Sequence, residues 1–140
     1  MTMGNSPLFK EIKEDLELFD NWEDRYGYII DLGKSVELSS DKKIDAYKVD
    51  GCASQVWLNM EWKGSGKEKY FFIQGDSDAL IVKGLIAILL SLYNGEEEQQ
   101  IKTINPDQEF ADLGLKNHLS LQRSNGLKSM IERIRIFVNN

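Results

Sequence analysis

The chain has 140 residues, 41% hydrophobic and 29% charged, enough for one domain spanning 1–140 with its own core and too few for a comfortable two. With 17 Lys and Arg against 23 Asp and Glu, the net charge is −6, and no basic excess exists to bind a nucleic-acid backbone or an anionic membrane surface. A protein or a small molecule is the expected partner.

Ser6 followed by Pro7 predicts a capped helix start rather than a secretory signal, with Phe9, Ile12, Leu16 and Phe19 on one helical face. Asn21 is expected to cap a second helix, where Trp22, Tyr26, Ile29 and Ile30 share a face until Gly33 ends it. Between Ile44 and Gln74 the period changes to two: Val56, Leu58, Met60 and Trp62 alternate with more polar neighbours, and Tyr70 to Ile73 is aromatic or β-branched. The expected arrangement is a three-stranded antiparallel meander, with Lys63–Lys67 as a flexible hairpin loop. The tighter turn Asp50-Gly51-Cys52-Ala53 would join a first strand, 44–49, to the second. Asp76-Ser77-Asp78 supplies helix-start chemistry for a helix from Ala79 to Tyr93 that is apolar on nearly every side and must be buried. At fifteen residues with an internal lysine, it falls short of the ~20 that a bilayer span needs. Glu96-Glu97-Glu98 reads as the first turn of a short helix rather than a metal site. A looser segment around Asn105-Pro106 leads to Ser120, the expected cap of a last helix with Leu127, Met130, Ile131, Ile134 and Val138 on one face. Gly126 falls inside that helix, so something must approach its backbone closely, or the helix begins later. The fold class is α/β (α+β): an antiparallel sheet covered by helices.

Cys52 is the only cysteine, so the chain forms no internal disulfide, and with no secretory start this points to the cytoplasm. Composition alone makes a lone thiol a small core hydrophobe, but turn chemistry on both sides puts this one at a loop tip. No Lys, Arg or His lies within three residues of it and Asp50 lies two before it, so nothing local lowers its pKa. The apolar run Val56-Trp57-Leu58 offers a surface under which it can tuck. His118, the only histidine, has the chemistry to form a nucleophile pair with Cys52, yet nothing in the sequence brings the two together.

The stretches "GCASQVWL" (51–58), "QGDSDALIVKGLIAILL" (74–90) and "HLSLQRSNGLKSMIERIR" (118–135), with "NWEDRYGYIIDLGK" (21–34) and "LYNG" (92–95), resemble the SufE family, including its relative CsdE, in order and spacing. The resemblance implies a fold shared with IscU-type scaffolds and a sulfur acceptor that serves iron–sulfur cluster assembly. Cys52 would carry the persulfide, supported by the loop residues Gly51, Ala53, Ser54 and Gln55. Asp78 and Arg123 would lie at the surface that docks on a SufS- or CsdA-like cysteine desulfurase, and a SufBCD-like scaffold would receive the sulfur. The resemblance implies no cofactor or metal of the chain's own; the pyridoxal phosphate belongs to the desulfurase. A homodimer is kept open. Ala53 stands where the family often has glutamine, Leu121-Gln122 where it has proline followed by threonine or serine, and Ser35-Val36-Glu37 lacks the family's proline; these departures bear on loop shape and partner choice. Two other classes stay open: a thiol-dependent hydrolase or transferase using Cys52, and an interaction module with an incidental cysteine.

Overall fold

The computed structural model describes residues 8–139, so the expected Ser6 cap and Pro7 lie outside them. Leu8 donates its backbone N–H to the Glu11 carboxylate at 3.0 Å and leads into α1, Phe9–Glu17, whose Ile12 and Leu16 are buried. α2, Trp22–Gly33, begins as expected: Asn21 Oδ1 accepts the Asp24 N–H at 2.8 Å and satisfies a donor that the helix start leaves unpaired.

Among the described residues the sheet has two strands rather than three. β1, Val56–Lys63, and β2, Tyr70–Ser77, pair antiparallel across the expected hairpin loop, with Leu58 opposite Gly75 and Trp62 opposite Phe71. The stretch expected as a first strand, 44–49, instead holds a 3₁₀ turn, Asp45–Tyr47, and meets β1 through the Lys48–Trp57 bridge and a Val49 N–H to Val56 carbonyl bond of 2.8 Å. One cause is visible: Asp45 and Ala46 are weak strand formers, and the turn takes the Tyr47 and Lys48 N–H groups to the Ile44 and Asp45 carbonyls at 3.0 and 3.2 Å. On the side away from β1, the Ala46 and Lys48 carbonyls accept from the Arg133 guanidinium at 2.8 and 2.9 Å. Cys52 therefore precedes the first strand instead of lying between two. The other edge of β2 is met by the segment 95–97, where Gly95 donates to the Phe71 carbonyl at 2.7 Å and Phe71 to the Glu96 carbonyl at 2.8 Å.

α3, Leu80–Tyr93, buries nine of its fourteen residues, as its all-round apolar sequence requires. α2 crosses it at a contact that needs two glycines. A Cβ on Gly84 would land on the Ile29 carbonyl oxygen, and one on Gly33 would stand 2.7 Å from the Gly84 nitrogen. Glu96-Glu97-Glu98 opens the short α4, Glu98–Ile101. The segment expected to be loose is the helix α5, Pro106–Asp112, capped by Asn105 through the Gln108 N–H at 3.2 Å. α6, Leu121–Val138, is capped by Ser120 as expected and runs unbroken through Gly126. Its Leu127, Met130, Ile131 and Ile134 are buried, and Phe137 packs on Trp62 and Phe71 with ring centroids 6.2 and 5.7 Å away. Among the described residues no helix is long and apolar enough to cross a membrane.

Asp76 and Ser77 do not start α3: they end β2, and Ala79 precedes the helix without a side-chain cap. The Asp76 side chain, 8% exposed, accepts from the Ser77 N–H at 2.8 Å and the Leu38 N–H at 3.3 Å, and pairs with Lys43 at 3.1 Å and Lys83 at 3.5 Å. Burial alone would raise its pKa; Lys43, the two N–H groups and Lys83 outweigh that and hold it below the ordinary carboxylate value. Because folding lowers this pKa, the stabilisation is complete above about 3.9, the unfolded value, and is lost as pH falls through the lower folded value. Asp76→Asn should therefore cost about 2 kcal/mol at pH 7, below the roughly 3–5 kcal/mol of a fully buried broken pair because the lysines keep some solvent. It should also flatten the acid limb of a stability-versus-pH curve measured by urea titration; an unchanged acid limb would remove Asp76 as its source.

Candidate functional site

A turn that needs glycine sets the thiol. Gly51 has φ +87°, and the Ser129 hydroxyl of α6 lies 2.6 Å from where a Cβ would stand, so both the backbone and its neighbour exclude a side chain. Cys52 follows, half-buried, with its Sγ 3.7 Å from the Gly126 carbonyl, a weak S–H hydrogen bond. The group that approaches Gly126 is thus Cys52, though not closely enough to exclude a side chain. A Cβ on Gly126 would sit 3.7 Å from the sulfur, an ordinary contact, so the glycine leaves free space beside the thiol rather than relieving a clash.

Downstream the chain is tied to the β2–α3 junction. Asp78 Oδ1 accepts the Gln55 N–H at 3.0 Å, and the Asp78 N–H donates to the Gln55 carbonyl at 3.3 Å. A charge-assisted bond of this kind contributes about 1.5–3 kcal/mol where water is excluded and less at this exposed position. Asp78 thus holds the loop as well as facing solvent. Upstream, Arg133 holds Ala46 and Lys48. Neither Arg133 nor Ser129 was legible as part of the site; their one sequence signal is a helical stripe with Gly126 at spacings of three and four.

Cys52, Ala53 and Ser54 line a pocket of about 320 Å³. Val82 and Leu85 of α3 and Leu127 and Met130 of α6 form its buried apolar floor, while the exposed Ser120, Gln122 and Arg123 form its polar rim. Arg123, 71 residues after Cys52 in the sequence, is therefore brought to the same pocket. The thiol is covered by α6 and not, as expected, by Val56-Trp57-Leu58. His118 is elsewhere: its ring stacks on Trp22 at 3.9 Å, and Nδ1 lies 3.0 Å from the Gly114 carbonyl, so it does not pair with Cys52. Among the described residues no group of three or more His, Cys, Asp or Glu is placed to hold a metal ion.

Burial, and after it the Asp50 carboxylate, push the Cys52 pKa above the ordinary thiol value. At neutral pH the group is a protonated, slow nucleophile. Its alkylation by iodoacetamide should rise with pH to a half-maximal rate above about 8.5, the value for a free thiol. Asp50→Asn should lower that point without bringing it to the free value, because burial is the larger cause. A half-maximal rate below that of free cysteine would overturn this picture of the thiol.

The family model described as "SufE: Fe-S metabolism associated domain" matches residues 10–138. An uncharacterized SufE-like protein of Rhizobium etli is 46% identical over 126 residues, covering 89% of this chain and 85% of the relative. Another from Rhizobium meliloti is 44% identical, covering 89% and 90%. The solution structure of a hypothetical protein from Thermus thermophilus superposes with a TM-score of 0.71 over 95% of this chain and 96% of its own, and at 18% identity it speaks for the fold. The chain belongs to the SufE family and to iron–sulfur metabolism.

Proposed function

We propose that Cys52 accepts sulfur from a cysteine desulfurase and passes it to an iron–sulfur cluster assembly scaffold. The observation that carries this reading is a single thiol, half-buried at the mouth of a 320 Å³ pocket that has a cation on its rim, in a chain of this family. In the step proposed, the Cys52 thiolate attacks the terminal sulfur of the desulfurase persulfide. The donor S–S bond breaks, the donor leaves as its thiolate, and Cys52-S-SH forms with no net oxidation. The pyridoxal phosphate that cleaves the C–S bond belongs to the partner, and the chain works without a cofactor of its own, in the cytoplasm. One cysteine suits a carrier better than a scaffold, since clusters take four protein ligands that are mostly thiolates.

The apolar floor excludes water from the added sulfur, and the space beside Gly126 accommodates it. Docking is assigned to the face that carries Arg123 and Asp78. Leu121, 77% exposed, stands between the rim residues Ser120 and Gln122, and Leu80, 65% exposed, begins α3 two residues after Asp78. Exposed leucines beside a charged rim suit a protein surface. A raised thiol pKa and a covered sulfur imply that docking must move the loop to activate Cys52, with Gly51 as the point of backbone freedom.

Incubation with desulfurase and free cysteine should add the mass of one sulfur atom, removable by reductant, and Cys52→Ser should abolish both this gain and stimulation of the desulfurase. Full stimulation by the serine variant would sink the carrier mechanism. Separately, Arg123→Glu should weaken desulfurase binding about tenfold, roughly 1.4 kcal/mol, with the fold intact; a binding curve that matches wild type would remove Arg123 from the interface. Asp78→Lys is a less clean probe, because it also releases Gln55.

A further inference from the structure

The approach to Cys52 is laid along one stripe of α6, in which residues 126, 129 and 133 follow at helical spacings of three and four. Gly126 receives the thiol, Ser129 abuts Gly51, and Arg133 reaches back to the carbonyls of Ala46 at 2.8 Å and Lys48 at 2.9 Å. The two bonds come from the two terminal nitrogens of one guanidinium, so the planar fork fixes the direction of the segment as well as its distance. Arg133 forms no ion pair among the described residues, which leaves these carbonyls as its anchor. The next contact along the chain is the Val49–Val56 hydrogen bond, and the turn at Gly51 begins immediately after it. The loop is thus a short span between two fixed ends, Arg133 behind it and Asp78 ahead.

We propose that Arg133 is the positioning residue for Cys52: by clamping residues 46–48 to α6 it sets where the thiol meets Gly126, and so how far the thiol is covered. It touches neither the sulfur nor the pocket. This deepens the reading of Cys52 as the acceptor and rests on it, but the test uses the chain alone, without desulfurase, so the two can fail separately.

The experiment compares wild type with Arg133→Met, which keeps an apolar stem and removes every donor, and with Arg133→Lys, which keeps the charge and cannot bridge both carbonyls with a planar fork. For each, the rate of Cys52 alkylation by iodoacetamide is followed from pH 6 to 10, and the urea midpoint is measured alongside. Removing the clamp should uncover the thiol and shift its pH–rate profile toward that of free cysteine. A lower thiol pKa raises the thiolate fraction faster than it reduces nucleophilicity, so the rate at pH 7 should rise by about twofold to threefold in the methionine variant. Lysine should give an intermediate profile. A residue that only supported the fold would lower the urea midpoint and leave the profile of the folded protein where it was. Wild-type profiles in both variants would overturn the proposal, as would a lower urea midpoint with no change of profile. Should the methionine variant not fold, the lysine variant decides: an unmoved profile overturns the proposal, and a shift toward free cysteine supports it.

Discussion

α3 is the constraint from which the rest of the structure follows. A helix apolar on nearly all sides is stable in water only if it is surrounded, and here α1, α2 and β2 pack on it while α6 faces its Val82 and Leu85 across the pocket. The closeness of that packing depends on Gly33 and Gly84, where α2 and α3 meet backbone to backbone. Because α3 must be enclosed, its first turns have to be covered from the β2 side and the α6 side together. The Cys52 loop lies where those two covers meet, over Val82 and Leu85. The pocket is a consequence of that seam: a short loop of small residues closes it less completely than a helix would.

The small residues also set the chemistry of the thiol. Gly51, Ala53 and Ser54 give Cys52 little to hide behind within its own loop, so its cover comes from a distant helix, and that cover is incomplete. Burial raises the thiol pKa, and the acidic neighbour Asp50 adds to this instead of offsetting it. The Arg123 guanidinium, on the rim of the same pocket, does not reverse the direction. Burial and Asp50 both favour the protonated thiol at neutral pH.

What could be read from the sequence follows how local the determining interactions are. The caps at Asn21 and Ser120, the burial of most of α3 and the pairing of β1 with β2 depend on neighbours within a few residues and hold in the structure, although Asn59, expected on the polar face of β1, is buried. Asn105-Pro106 carried the same kind of signal, a cap followed by proline at the first helical position, but the short run after it obscured α5. The first strand failed locally, since Asp45 and Ala46 take a 3₁₀ turn, and no local pattern shows that Arg133, 85 residues beyond Lys48, holds the outward carbonyls of that segment. Asp76-Ser77-Asp78 had the composition of a helix start; what the composition could not show was that Lys43 and Lys83 converge on Asp76 while Gln55 takes Asp78. The turn at Cys52 was legible, whereas its cover was not, because no local pattern says which distant surface a loop of small residues will meet.

α6 concentrates most of what surrounds the thiol. Its first turn supplies the rim, Gly126 the contact, Leu127 and Met130 part of the floor, and Ser129 and Arg133 the seat of the upstream segment. Its far end is fixed independently, by Phe137 packed on Trp62 and Phe71 of the hairpin. A rigid rod held at one end by an aromatic cluster and carrying the loop at the other offers two ways to uncover Cys52. Shifting the whole helix would disrupt Leu127, Met130, Ile131 and Ile134, all buried, and core side chains tolerate little displacement. Releasing the loop disturbs a few hydrogen bonds and an exposed turn whose residues are small. The loop is thus the part of this structure that can move at low cost, and a partner that grips the rim of the pocket is in position to move it.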